Sequence, residues 1–178
     1  LLNKEAGWKH MRKYLDRMDS HDEAMLMFVD IDDFKIINDT YGHTVGDFWI
    51  HEVASQLRHI YRQDDIICRY GGDEFIVLIR NTASEQVLET TLGMFFQQLT
   101  RASEQRGQDV HCSVGVCRVA AIRISGNRDT SRNTDGENGE DTRGGVDFGQ
   151  CVKQADLALY ETKRFNKGTF NVYNYDRS

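Results

Sequence analysis

"RYGGDEFIVLI" (Arg69–Ile79) decides how the rest of the chain is read. The apolar run before it ends at Ile67–Cys68 and reads as a strand, and Phe75–Ile79 reads as another. The two glycines between them are an ordinary two-residue hairpin signal, because glycine reaches positive φ without penalty. Two carboxylates, Asp73 and Glu74, then stand at the mouth of the turn, where their charges repel. Acidic residues beside a turn are usually just solvated. The segments around the hairpin must therefore say whether this pair does more.

"AMLMFVD" (24–30) is a continuous apolar run ending in Asp, the pattern of a buried strand. "FKIINDT" (34–40) suits a short helix that stops near Tyr41–Gly42. Residues 46–61 carry Trp49, Ile50, Val53, Leu57 and Ile60 at helical spacing. Near the start, Trp8, Met11, Leu15 and Met18 mark a helix over 4–19 that Asn3 caps. "DDIICRY" and "EFIVLIR" are the hairpin strands. Ser84 is expected to cap a third long helix with Leu88, Leu92, Phe95 and Leu99 on one side. "DVHCSVGVCRVA" (109–120) is a strand, Asp147 opens a last helix, and "TFNVYNY" (169–175) is a closing strand. The whole reads as one α/β domain over residues 1–178, a mixed central β-sheet flanked by helices. Between 125 and 146 the pattern fails: five glycines, mixed charge and almost nothing apolar predict a long mobile loop.

The 178 residues fit one domain, and 39% hydrophobic content is enough for its core. No apolar run approaches the ~20 residues that span a bilayer, so this domain is expected to make no membrane contact of its own. The first residue is Leu, and the chain is expected to be a piece of a longer regulatory protein. Any membrane anchor would lie in regions outside it. A net charge of −6 argues against nucleic-acid binding. Cys68, Cys112, Cys117 and Cys151 form no CxxC pair and read as buried free thiols of a cytoplasmic domain. The six histidines are scattered without a zinc pattern.

"FVDIDDFKIINDTYGHTVGD" (28–47) supplies what the hairpin needs. Asp30 ends a buried strand, and the turn at 31–34 leads into a short helix whose first N–H groups can face an anion. Lys35 follows. If the hairpin lies beside the Asp30 strand, Asp30 and Asp73 converge, and two carboxylates near a phosphate are a Mg²⁺ site. A divalent cation would relieve the repulsion at Asp73.

With these motifs in place the chain resembles the GGDEF domain of bacterial diguanylate cyclases. "LLNK", "DIDDFKIINDTYGHTVGD", "RYGGDEF", "CSVGV" and "ADLALYETKRFNKG" occur in the family's order across nearly the whole chain. The resemblance implies a palm-type nucleotide cyclase core that joins two GTP into cyclic di-GMP and releases two pyrophosphates. One domain holds one GTP, so the active species would be a homodimer. The metal would be Mg²⁺, with Mn²⁺ as the alternative, held by the side chains of Asp30 and Asp73 and the carbonyl of Ile31. Asp73 is the candidate base for the 3′-hydroxyl, with Glu74 close by, and Lys35 steadies the transferring phosphate. Asn38 and Asp47 would read the guanine edge, whose N1–H and amino group suit a carboxylate and an amide. His43 lies near the base or sugar, and Phe34 belongs to the same substrate-binding set. Lys163 and Lys167, read as one helical turn apart, would hold the terminal phosphates.

The family's Gly-Arg-Asn after the last helix is here Asn166–Lys167–Gly168, with Asn166 expected in the left-handed conformation. "RQDD" (62–65) is an RxxD at the offset of the family's product-inhibition site, so Arg62 and Asp65 would each grip cyclic di-GMP. Two rivals remain from sequence alone. One is an inactive GGDEF domain that acts as a receptor for GTP or cyclic di-GMP; intact Asp30, Lys35, Asp73 and Glu74 speak against it. The other is an adenylyl-cyclase-like enzyme; Asn38 and Asp47 speak for guanine.

Overall fold

The computed structural model describes residues 1–19, 21–82, 84–120 and 146–173. Among the described residues, five helices and five strands follow one another as α1 (Lys4–Leu15), β1 (Glu23–Ile31), α2 (Phe34–Tyr41), α3 (His43–Ile60), β2 (Ile66–Arg69), β3 (Glu74–Arg80), α4 (Glu85–Arg106), β4 (Cys112–Ala120), α5 (Phe148–Phe165) and β5 (Phe170–Val172). The sheet runs β2-β3-β1-β4-β5. β1 is antiparallel to both neighbours, and β4 pairs β5 in parallel, so the sheet is mixed as expected.

β1 is apolar without a break because both of its faces are covered. Met25, Met27, Val29 and Ile31 meet Trp49, Val53 and Leu57 of α3 and Leu92 and Phe95 of α4. Ala24, Leu26 and Phe28 point the other way, to Met11 and Leu15 of α1 and Ala155 and Leu159 of α5. The odd–even split is the two-residue period of a strand. The helices thus form a layer on each face, and the carboxyl end of β1 opens between the layers. Gly115 of β4 sets the depth of α5: a Cβ there would lie 2.1 Å from the Ala155 carbonyl oxygen and 2.2 Å from the Leu159 nitrogen. Only a bare Cα lets the helix backbone approach so closely.

Several boundaries differ from the sequence reading. α1 ends at Leu15, not 19, but Arg17 and Met18 donate to Tyr14 and Leu15 carbonyls, which keeps Met18 on the core side. α3 starts at His43 directly after Gly42, whose φ of 86° breaks it from α2. β2 is shorter than "DDIICRY", because Asp64 and Asp65 belong to the turn before it. β4 and β5 are shorter at their starts, beginning at Cys112 and Phe170. Asn3 caps α1 through Ala6 N–H (2.9 Å) and Asp147 caps α5 through Gln150 N–H (3.2 Å). Ser84 makes no side-chain cap bond. All four cysteines are buried free thiols. No helix among the described residues is long and apolar enough to cross a membrane. The expected loop at 125–146 lies, but for Val146, outside the described residues.

Candidate active site

The register of the sheet builds the site. Asp30 pairs with Glu74 across β1–β3 and with Ser113 across β1–β4, and the Ile31 N–H donates to the Asp73 carbonyl (3.3 Å). The hairpin strand does lie beside the Asp30 strand, so Asp30, Ile31, Asp73 and Glu74 gather at one end of the sheet. The turn is not a two-residue one. Tyr70 and Gly71 N–H both donate to the Glu74 carbonyl (2.8 and 3.3 Å), and neither glycine has positive φ. At Gly71 a Cβ would lie 2.4 Å from Glu74 Oε2, so a side chain there would push the Glu74 carboxylate from its place over the turn. Arg69 holds the turn by donating to the Gly71 and Gly72 carbonyls. Tyr70 anchors it, packed on Trp8 and Phe28 beneath the Lys4 ammonium.

The electrostatics are unbalanced. Asp30 is 6% exposed, and among the described residues it pairs with Lys163 from the last turn of α5, at 2.6 Å. Burial pushes the Asp30 carboxyl up to about 6, against the pull of Lys163 and with the charges of Asp73 and Glu74. Burial and then the Asp73 charge also raise Glu74. Three carboxylates crowd the Lys163 ammonium, with Lys4 a lesser influence on Glu74, an arrangement that favours an added cation. Among the described residues no three His, Cys, Asp or Glu side chains are placed to hold a metal by themselves. Two hard carboxylate oxygens and the Ile31 carbonyl are the leaner set that Asp30 and Asp73 offer, and that donor chemistry fits Mg²⁺.

The other expected residues ring this centre. No side chain caps the first turn of α2, where Phe34 is half-buried and Lys35 exposed. Asn38 leans on Gly46 where α2 meets α3, with His43 and Asp47 exposed on the same junction. Lys163 and Lys167 are not on one helical face, because α5 ends at Phe165. Lys167 lies beyond it and pairs with Asp33 (2.8 Å). Asn166 has φ −159°, and the positive φ expected there falls at Gly168 (76°). Glycine accepts that conformation more readily, which explains the shift.

Asp32 was missed by sequence reasoning. It is buried, accepts from Ser113 Oγ (2.8 and 2.9 Å) and from Gly168 N–H (3.2 Å), and so ties the 30–33 loop to β4 and to the turn after α5. The one available signal was Ser113, a hydroxyl inside the apolar run of "HCSVGV".

Arg62 and Asp65 lie at the other end of β2. Asp65 is 5% exposed, and its oxygens accept from Arg62 N–H (2.8 Å) and Arg80 N–H (3.0 Å). It organises the turn that carries Arg62 and is not a free acceptor in this conformation. Beside it lies a groove of about 730 Å³ lined by Asp65 and by His10, Lys13, Arg17, Arg58 and Arg80.

Comparison with known proteins settles the family. Residues 1–132 match the family described as "Diguanylate cyclase, GGDEF domain". The chain belongs to the GGDEF family. Diguanylate cyclase A of Treponema denticola is 32% identical over 144 residues, covering 78% of this chain and 32% of that protein. The GGDEF domain spans only 14–39% of the length of several curated relatives, among them the probable diguanylate cyclases DgcE and DgcC of Escherichia coli. In fold it is similar to the active GGEEF domain of a Vibrio cholerae diguanylate cyclase, with a TM-score of 0.73 at 23% identity over 99% of both chains. It is also similar to the GGDEF domain of DgcB from Caulobacter crescentus in complex with c-di-GMP, with a TM-score of 0.68 at 23% identity, covering 97% of this chain and 91% of that one.

Proposed function

We propose that this GGDEF domain is an active diguanylate cyclase that condenses two GTP into cyclic di-GMP. The observation that carries the reading is the gathering of Asp30, Asp73, Glu74 and Lys163 beside the uncapped start of α2. Asp30, Asp73 and the Ile31 carbonyl would hold Mg²⁺, which supplies charge neutralisation at the phosphates. Lys35 and the first-turn N–H groups of α2 receive the α-phosphate region. Lys163 and Lys167 receive the terminal phosphates. Asn38 and Asp47, with Phe34 and His43 alongside, hold guanine. Asp73, at the hairpin tip, takes the proton from the 3′-hydroxyl, with Glu74 adjacent. The hydroxyl oxygen forms a bond to the α-phosphorus of the facing GTP, the bond to the β-phosphate oxygen breaks, and pyrophosphate leaves. The facing domain does the same, so two domains must meet as a homodimer.

The test is incubation with GTP and Mg²⁺ followed by identification of products. Cyclic di-GMP with two equivalents of pyrophosphate is expected, and ATP should be used little or not at all, because adenine would leave Asn38 and Asp47 unpaired. GTP bound without pyrophosphate release would establish the receptor reading instead. A second element, feedback by cyclic di-GMP at Arg62 and Asp65, is supported by the groove beside Asp65, where Lys13, Arg17, Arg58 and Arg80 outnumber Asp64 and Asp65; Arg62 itself does not line it.

A further inference from the structure

Both lysines expected to hold phosphate are engaged elsewhere. Lys163 Nζ lies 2.6 Å from Asp30 Oδ1, and Lys167 Nζ lies 2.8 Å from Asp33 Oδ1. Each pair joins residues more than a hundred positions apart, so these are tertiary links and not decoration within one helix. One runs from the last turn of α5 to the end of β1 and the other from the turn after α5 to Asp33, and Asp32 between them is already tied to Gly168.

We propose that Lys163 and Lys167 form a latch. Without nucleotide they serve as counter-ions to Asp30 and Asp33, and a divalent cation gains Asp30 only in company with a triphosphate that gives the displaced lysines new anionic partners. The inference rests on the reading of Asp30 as a metal ligand and of the lysines as phosphate-binding.

The physical case begins with Asp30. It is buried and has Asp73 and Glu74 as like-charged neighbours, so its ionised form needs a cation beside it. Lys163 supplies one. An ammonium and a divalent cation on the same carboxylate repel strongly at such short range. A free cation must therefore eject Lys163, and the ejected ammonium gains only water. A metal–triphosphate complex differs, because its terminal oxygens take up the ammonium it displaces. Metal and nucleotide then strengthen each other's binding. Lys167 adds less, since its pair with Asp33 is about half exposed on both sides and such pairs are weak.

The test is Mn²⁺ binding to the nucleotide-free domain, followed by the paramagnetic resonance signal of the free ion at pH 8 and low salt. Lys163→Met is expected to bind Mn²⁺ about 10-fold tighter than wild type, within the usual range of coupling between sites. Lys167→Met should change it by less than about 2-fold. Lys163→Met/Asp30→Asn should lose the gain. Lys163→Gln serves the same comparison if the methionine variant does not fold. A folded Lys163 variant that binds Mn²⁺ no tighter than wild type would overturn the latch, and so would a gain that survives in the double variant. A further arm adds a GTP analogue with a methylene between the α and β phosphorus atoms. If Asp30→Asn leaves Mn²⁺ binding in that ternary complex unchanged, the metal assignment fails and the latch with it. If Asp30→Asn weakens it and only the Lys163 gain is missing, the latch alone falls.

Discussion

The two ends of one hairpin carry the same kind of residue and treat it differently. At the base, Asp65 is 5% exposed, and two main-chain N–H groups meet its oxygens. At the tip, Glu74 and the facing Asp30 are buried or half-buried among like charges, and both have carboxyls raised by burial. The same contrast recurs within β1 and its loop, where Asp32 is as buried as Asp30 but is met by Ser113 and Gly168. A buried carboxylate with its hydrogen bonds complete is structural. One whose charge is left over marks a place where something else binds.

The comparison breaks most sharply at the tip. Asp73→Asn should lower pyrophosphate release from GTP by at least about 10³-fold, since the proposed metal ligand and base are lost together, a deeper loss than one preorganised donor. Its melting temperature should stay near that of wild type. Product formation at the wild-type rate by the folded variant would remove Asp73 from the site. Lys35→Ala comes next, with an expected fall of about 10²–10³-fold in single-turnover rate at saturating GTP. An effect confined to GTP affinity would make Lys35 a binder only.

Stability should separate the two ends in opposite directions. Asp65→Ala strips acceptors from two main-chain donors and should cost about 2–4 kcal/mol in urea unfolding. Asp30→Asn should stabilise the metal-free domain. The Asp30 carboxyl is raised from 3.8 to about 6, so its ionised form opposes folding above that value, and the penalty fades as pH falls from 6 towards 4. The variant should therefore gain about 1–3 kcal/mol over wild type at pH 7.5. Near pH 4 it should gain almost nothing. Equal stability at both pH values would mean that Lys163 balances Asp30 fully.

What sequence alone conveys follows the same division. Apolar runs and periodicity locate the described strands and helices, because the unbroken apolar run of β1 and the helical stripes of α3 and α4 are local patterns enforced by one core. The pairing of Asp30 with the GGDEF hairpin is also legible, since a strand-end carboxylate and a turn carboxylate have few other reasons to occur together. Ends are less legible. The left-handed residue after α5 falls at Gly168 and not Asn166, and neither GGDEF glycine is left-handed; at Gly71 the Glu74 carboxylate occupies the place of a Cβ. Least legible are contacts between distant residues: Ser113 with Asp32, Lys163 with Asp30, Lys167 with Asp33. Each partner alone looks like an ordinary polar residue, and only the closed sheet brings them together.

The smallest expected effect on basal rate comes from Arg62→Ala. Arg62 stands at the base of the hairpin, and β2 covers only Ile66–Arg69 before the tip. Four strand residues put the two ends about 13 Å apart. A ligand at the base would therefore not overlap the GTP proposed for the tip, and inhibition there would have to act on whether two domains can face each other. Favouring a non-productive arrangement by a few kcal/mol is enough to empty the productive one. Cyclic di-GMP should thus lower the maximal rate of wild type without raising the GTP concentration needed for half of it. Arg62→Ala should keep its basal rate within about 2-fold, because the usual surface substitution leaves the fold undisturbed, and should escape inhibition. Asp65→Ala should escape too, but with the loss of stability given above, since it holds the turn that presents Arg62. Inhibition of Arg62→Ala equal to that of wild type, or calorimetry with no cyclic di-GMP bound to wild type, would leave the base of the hairpin purely structural and the tip as the one functional end.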